Sequence, residues 1–271
     1  RGRARATRDH AGAGRAPGPE PLRIALENIR RLLDGCIGKK LRPIDAYDIT
    51  MYIADSVRSG GIRRSATLAL CSLDDEEMRN AKVGDWFSSN PQRARSNNSV
   101  TVLRGDLTKQ MLSDILGASS SAMGDLGIHL TDDLDWGVNP CAEIGMNPVY
   151  DFGSHFETGW SFCNLTEING VAVDSYEKGM ELATHASVIG TIQASYTSFP
   201  YLGRTSELIA ERDALLGVSI TGIMDNPKLM DQTLLSSMAR QVKMTNIVMA
   251  QALGINQAAR TTCVKPSGKA S

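Results

Sequence analysis

Three side chains able to do chemistry stand on alternate residues in Asn139-Pro140-Cys141-Ala142-Glu143-Ile144: an amide, a thiol and a carboxylate. In an extended segment, alternate residues point to the same side. A tight loop can equally turn all three towards one small ligand. A thiol flanked at two residues by a hydrogen-bonding amide and by a possible base is a candidate reactive centre. The same residues also read as a plain loop with a buried cysteine, a capping asparagine and a solvated glutamate. A hydrolase using Cys141 as nucleophile needs a histidine partner, and none of the four histidines stands in a matching context. His129 reads as a partly buried residue of a short strand, Ile128-His129-Leu130.

The other cysteines are Cys36, Cys71, Cys163 and Cys263, an odd total of five with no C-x-x-C pair. That pattern disfavours both a zinc knuckle and a secreted disulfide framework. No metal site is expected, and a reducing cytoplasm fits best. Lys plus Arg is 29 against 30 for Asp plus Glu, a formal charge of −1. Such a balance argues against a general electrostatic grip on nucleic acid or anionic membrane. No apolar run approaches a membrane span, and the sequence opens on no signal-peptide pattern.

The elements that must position these residues alternate between helix and strand. Residues 1–14 are Arg- and Ala-rich without apolar period and are expected to be a disordered arm. Spacing predicts a helix from Glu20 to Gly35 and a second from Pro43 to Gly60-Gly61. Thr67 to Cys71 reads as a buried strand. Arg63 and Arg64 before it suit either an anion or a salt bridge. A short helix is expected from Asp74 to Lys82 and another from Leu107 to Gly117. Ser96-Asn97-Asn98-Ser99 reads as a polar loop before a strand at Val100–Leu103. Residues 145–160 read as loop and 161–168 as strand. Asp174 is expected to cap a long helix ending near Thr197. A Gly-containing buried strand follows at 215–223. The last long helix runs from Leu229 to Leu253, with Gly254 at its stop. The chain closes on a strand leading into Pro266-Ser267-Gly268-Lys269, a loop of the kind that holds phosphate by backbone amides. The sequence ends before any following helix and reads as cut off there. Alternation of this kind predicts an α/β architecture with mostly parallel pairing.

Several of these stretches, taken together and in order, resemble one family. Asn139-Pro140-Cys141-Ala142-Glu143-Ile144 looks like the active-site loop of ribonucleotide reductases. Residues 60–70, GGIRRSATLAL, resemble the adenosylcobalamin-dependent (class II) branch, as do SNNSV at 96–100 and FCNLTEI at 162–168. Residues 261–271, TTCVKPSGKAS, are similar to that branch's phosphate loop with one extra cysteine, Cys263, and with Lys269 where threonine is usual. Coverage runs from about Arg15 to Ser271.

The resemblance implies a ten-stranded α/β barrel of two half-barrels, with the reactive cysteine on a central finger loop. Residues 15–271 would form part of that barrel, truncated at both ends. It implies radical reduction of ribonucleoside di- or triphosphates to deoxyribonucleotides for DNA synthesis. Cys141 would carry the thiyl radical, Glu143 act as base on the 3′-hydroxyl and Asn139 hold the ribose. Cys163 matches one member of a dithiol pair that ends as a disulfide. Its partner in the family lies upstream of the region covered, and neither Cys36 nor Cys71 matches it. Pro266, Ser267, Gly268 and Lys269 would bind the substrate phosphates. Implied cofactors and partners are adenosylcobalamin, an external dithiol and a thioredoxin-like reductant, with no direct DNA or RNA contact. The alternatives are a non-catalytic nucleotide-binding fragment of such an enzyme, and a large chain of the di-iron-dependent (class I) type.

Overall fold

Apolar spacing in residues 20–35 gives the first helix, α1, Glu20–Gly35, with Pro21 in its first turn. This is the helix the spacing predicts. The computed structural model describes residues 18–59, 62, 63, 66–120 and 125–265, with 58, 59, 62 and 63 by backbone alone. The expected N-terminal arm, Arg64 and the Pro266–Lys269 loop lie outside the described residues. The chain divides into two units at Leu134/Asp135.

In the first unit, α1 is followed by α2, Pro43–Ser56. The Asp45 carboxylate accepts from the Arg42 backbone N–H at 2.9 Å and from its guanidinium at 2.8 and 3.0 Å, which fixes the start of α2. This helix stops short of the predicted glycine pair, because the chain enters a two-residue antiparallel pair, β1 (Arg58–Ser59) with β2 (Ile62–Arg63). Next come β3, Thr67–Cys71, and two single-turn helices, α3 (Glu76–Arg79) and α4 (Trp86–Ser89). The Asp75 side chain caps α3 by accepting from Met78 N at 3.0 Å, so this helix is shorter than expected. Then follow β4, Ser96–Leu103, α5, Lys109–Ser119, and β5, Gly127–Thr131. Strands β3, β4 and β5 form a parallel sheet with β4 central.

The polar stretch at 96–99 is not the expected loop. It is the first half of β4, whose inward face is Ser96, Asn98, Val100 and Val102. Burying the first two requires partners. Tyr47 Oη donates to Asn98 Oδ1 at 3.1 Å, and the buried Lys82 ammonium donates to the Ser96 carbonyl and to Asp125 at 2.6 Å. Val100 and Val102 complete the strand against Ile115 and Leu126.

The second unit opens with two short antiparallel pairs where the sequence reads as loop. The first joins β6 (Gly137–Val138) to β7 (Gly145–Met146), and the second joins β8 (Val149–Asp151) to β9 (Phe156–Thr158). Then come β10, Asn164–Asn169, and α6, Tyr176–Ala194. Ser175 rather than Asp174 caps α6, accepting from Lys178 N at 3.1 Å. Helix α7, Arg204–Asp213, has no counterpart in the sequence reading. It buries only Ser206 and Ile209, too few for an apolar period.

Strand β11, Leu216–Thr221, and helix α8, Gln232–Leu253, complete the elements, and Gly254 ends α8 with φ +67. Strands β10 and β11 pair in parallel, from Asn164↔Leu216 to Asn169↔Thr221. Helices α6 and α8 pack closely, because Gly179 and Ala183 leave room for Leu234 and Met238. Their buried polar groups are satisfied: Ser187 Oγ donates to the Val242 carbonyl at 2.8 Å, and Asn246 Nδ2 donates to Thr191 Oγ1 at 3.0 Å. The whole is mixed α/β with parallel principal sheets, as the alternation predicts.

Candidate active site

The candidate motif forms the tip of the β6–β7 hairpin. Asn139 N donates to the Ile144 carbonyl at 3.2 Å, and Ile144 N donates to Asn139 Oδ1 at 3.0 Å. Within this clasp, Ala142 N donates to the Asn139 carbonyl at 2.8 Å. Asn139 and Ala142 are thus the first and last residues of a β-turn. Pro140 sits second, where its fixed φ is favourable, and Cys141 third. Ala142 has φ +61, a left-handed backbone uncommon for a residue with a Cβ. Of the two geometries open from spacing, the structure has the tight loop.

Asn139 is buried, and its Nδ2 donates to Cys163 Sγ at 3.9 Å. An amide offers two N–H donors and two acceptor lone pairs, so one of each is left after the clasp and the thiol contact. Both Glu143 carboxylate oxygens are buried and accept no hydrogen bond. Such a group is costly to bury and calls for a reason. A ligand hydroxyl able to donate supplies one.

Cys163 immediately precedes β10. Burial is the main influence raising its thiol pKa, and the Glu143 carboxylate and Cys141 add to it. It opens on one side into a hollow of about 360 Å³, lined by Phe162, Gln193, Tyr196 and Phe199. The rings of Phe162 and Phe199 stack there at 4.3 Å between centroids. No disulfide joins any of the five cysteines.

A further thiol arrives from the end of the chain. The Asn246 amide, held by Thr191, accepts from Ala258 N at 2.9 Å. This pins the segment that returns along β11. Leu216 N donates to Arg260 O and Val218 N to Thr261 O, both at 3.0 Å, and Cys263 N donates to Val218 O at 3.1 Å. The result is a parallel bridge, Val218↔Thr262. It places Cys263 beside β11 on the side away from β10.

Gly217 shows how tightly the hairpin tip sits on this strand. A Cβ there would lie 2.6 Å from Leu165 Cδ2, 2.7 Å from Ile144 Cδ1 and 3.1 Å from Cys263 Sγ. Only glycine allows all three to converge. The Cys263 thiol is pushed up to about 11, by burial first and then by Glu143, Cys163 and Glu167.

The structure therefore brings Asn139, Cys141, Glu143 and Cys163 together, and adds Cys263 and Gly217, which sequence reasoning did not assign. Cys263 was visible as the extra residue in an otherwise matching loop, and Gly217 as an isolated glycine in a strand pattern, a sign of close approach. Among the described residues no cluster of His, Cys, Asp and Glu could hold a metal ion, and no helix is long and apolar enough to cross a membrane.

The mixed α/β scaffold carries a thiol-bearing hairpin tip against a parallel strand pair, and comparison with known proteins gives it relatives. No protein-family profile matches the chain. Curated relatives do. The chain is 28% identical over 237 residues to an adenosylcobalamin-dependent ribonucleoside-triphosphate reductase of Lactobacillus delbrueckii subsp. bulgaricus, covering 80% of this chain and 29% of the relative. It is 29% identical over 238 residues to the same enzyme of Lacticaseibacillus paracasei, covering 82% and 30%. For the Lactobacillus acidophilus enzyme the figures are 25% over 304 residues, 96% and 39%. A solved B12-dependent (class II) ribonucleotide reductase matches in fold with TM-score 0.68 and 23% identity, over 98% of this chain and 40% of that one. The chain is a homologue of part of the class II, adenosylcobalamin-dependent ribonucleotide reductases. It spans about 30–40% of the length of the relatives it matches.

Proposed function

We propose that the hairpin tip is a ribonucleotide-reducing centre in which Cys141 carries the thiyl radical, Glu143 is the base and Asn139 orients the ribose. The observation that carries this reading is the orphaned Glu143 carboxylate, two residues from Cys141 and with no hydrogen-bond partner. Loss of a ribose 2′-hydroxyl becomes feasible once a radical stands on the neighbouring 3′ carbon. A thiyl radical on Cys141 abstracts that 3′ hydrogen, because the S–H and activated C–H bonds are of similar strength. Glu143 accepts the 3′-hydroxyl proton and sharpens the push that expels the 2′-hydroxyl as water. Asn139 uses its remaining N–H and lone pair on the ribose hydroxyls and fixes the distance to Cys141.

Burial raises the Cys163 thiol pKa, which keeps that sulfur protonated and able to give a hydrogen atom. The hollow beside Cys163 gives an external dithiol a way in. Pro266, Ser267, Gly268 and Lys269 are proposed to hold the substrate phosphates, and residues 15–271 to form part of the family's ten-stranded barrel. Adenosylcobalamin, named for the relatives, would supply the initiating radical.

The test is deoxynucleotide formation from a ribonucleoside triphosphate with adenosylcobalamin and dithiothreitol. Product is expected from the wild type and none from Cys141→Ala at equal nucleotide binding. Product surviving that substitution sinks the mechanism, and nucleotide binding without product in the wild type marks a binding fragment.

A further inference from the structure

The hairpin that carries Cys141 is too short to hold its own place. Strands β6 and β7 share two residue pairs, Gly137↔Met146 and Val138↔Gly145, and a two-stranded ribbon of that size is marginal by itself. Between its base and the entrance to β11 lies a hollow of about 240 Å³, lined by Trp136, Met146, Asn147 and Leu215. Side-chain packing therefore does not fill the space between ribbon and strand. Arg212, in the last turn of α7, lines the same hollow and ties the two together. Its guanidinium donates to Asn147 O at 2.9 Å and to Val149 O at 2.6 Å, two carbonyls of the segment that leaves β7. The carbonyl between them, Pro148 O, accepts from Gly159 N at 2.8 Å. On its other edge the guanidinium donates to the Asp213 carboxylate at 2.6 and 2.8 Å. These bonds need a planar fork, which a lysine ammonium cannot reproduce. Asp213 belongs to the scaffold: its carbonyl accepts from Ala259 N at 2.9 Å, and the chain turns through Ala214, φ +40, into Leu215 and β11.

We propose that Arg212 is a positioning residue for the chemistry at Cys141: it fixes the outgoing strand of the hairpin against the entrance to β11, and so fixes where the tip presents its thiol. This rests on the reductase reading above. Arg212 touches no reacting atom in that reading and acts through the backbone of residues 145–149. At the tip itself the contacts are slighter. Asn139 Nδ2 reaches Cys163 Sγ at 3.9 Å, and Ile144 Cδ1 packs against the bare face of Gly217. Such contacts hold the tip against the strand. The directional bonds from Arg212, strengthened by its charge, set how far along the strand the hairpin reaches. Hydrogen abstraction by a thiyl radical depends on that distance, and a displacement of about 1 Å can cost on the order of 10² in rate.

The experiment compares Arg212→Met, Arg212→Lys and Arg204→Met in the full chain. Arg204 stands on the same helix and pairs with Glu207 and Glu211, so its loss controls for a missing arginine on α7. Amide exchange is followed at Asn139, Ala142 and Ile144, whose N–H groups are bonded within the tip, with α6 and α8 as the measure of an intact fold. Tip exchange should quicken by roughly tenfold or more in Arg212→Met while α6 and α8 keep their rates, and Arg204→Met should match the wild type. Should Arg212→Met fail to fold, Arg212→Lys decides: it keeps the charge but not the fork, and its tip should also loosen. In the deoxynucleotide assay, kcat should fall by about 10–10²-fold in the Arg212 variants with the nucleotide KM unchanged. Wild-type exchange at the tip of a folded Arg212 variant overturns the proposal, and so does a loosened tip that turns over at the wild-type kcat. Exchange uses neither nucleotide nor cofactor, so the two readings fail separately. A tip that loosens in Arg212→Met, in a protein whose wild type makes no deoxynucleotide, supports the clamp and defeats the reductase reading.

Discussion

Asn139 and Ile144 clasp each other twice across the hairpin tip, once backbone to backbone at 3.2 Å and once from Ile144 N to Asn139 Oδ1 at 3.0 Å. The second bond gives Asn139 a structural role. Asn139→Ala strands the buried Ile144 N–H, a loss of about 1–3 kcal/mol, which urea denaturation should read. Asn139→Asp keeps the acceptor and should retain most of that stability. It brings a second carboxylate near Glu143, however, and should still lower deoxynucleotide formation.

Glu143 predicts the opposite sign for stability. Its carboxylate is buried without a partner, so Glu143→Gln removes an uncompensated charge. The melting temperature should rise or hold, while deoxynucleotide formation falls by about 10²–10⁴, the usual worth of a positioned base. A variant that loses stability and activity together would show that the carboxylate has a structural partner.

Gly217→Ala tests the convergence under the tip. The added methyl would stand within 2.7 Å of both Leu165 Cδ2 and Ile144 Cδ1. Overpacking of this kind costs about 1–3 kcal/mol. Thermal denaturation measures the loss, and faster alkylation of Cys263 would report that the neighbouring segment has been pushed aside.

The Cys263 thiol gives a pH prediction. With its pKa raised from 9.0 to about 11, its thiolate fraction at pH 8 is on the order of 10⁻³, against roughly a tenth for a thiol left at 9.0. Iodoacetamide should label it roughly a hundredfold more slowly than a peptide thiol at that pH, with the rate rising tenfold per unit until near pH 11. The stability consequence has a definite sign. Below pH 9 both folded and unfolded thiols are protonated and nothing changes. Between 9 and 11 only the unfolded form loses its proton, so alkali favours unfolding.

Asp45 behaves in the reverse sense at the start of α2. Hydrogen bonds from Arg42 hold its pKa at about 2 instead of 3.8. Its contribution is complete above pH 3.8 and is lost as the pH falls towards 2. Asp45→Asn should lower the melting temperature at pH 6, and the difference from wild type should close at pH 2.

The helices with clear apolar spacing, α1 and α8, were legible to within a few residues, as was the parallel α/β alternation. Boundaries moved where a side chain one residue along made the cap, as Ser175 did in place of Asp174. Residues 96–99 were misread because polar side chains usually mark loops. Here Tyr47 and Lys82, far away in sequence, make it possible to bury Ser96 and Asn98 in a strand. Helix α7 hid behind its charge. Asn139, Cys141 and Glu143 are candidates by type and spacing and Cys163 by resemblance, and the structure gathers them around one hairpin tip. The approach of Cys263 depends on a chain reversal pinned by Asn246, and no local pattern announces a contact between residues so far apart.

That reversal carries a thermodynamic consequence. Residues 258–263 are tied down at one end by the Asn246 amide and along their length by single bonds to β11 rather than by a full strand ladder. Such a segment opens at a lower free energy than the strand pair and the helix pair beside it. Amide exchange along 258–263 would then run ahead of that in α6 and α8, in molecules whose cores stay closed.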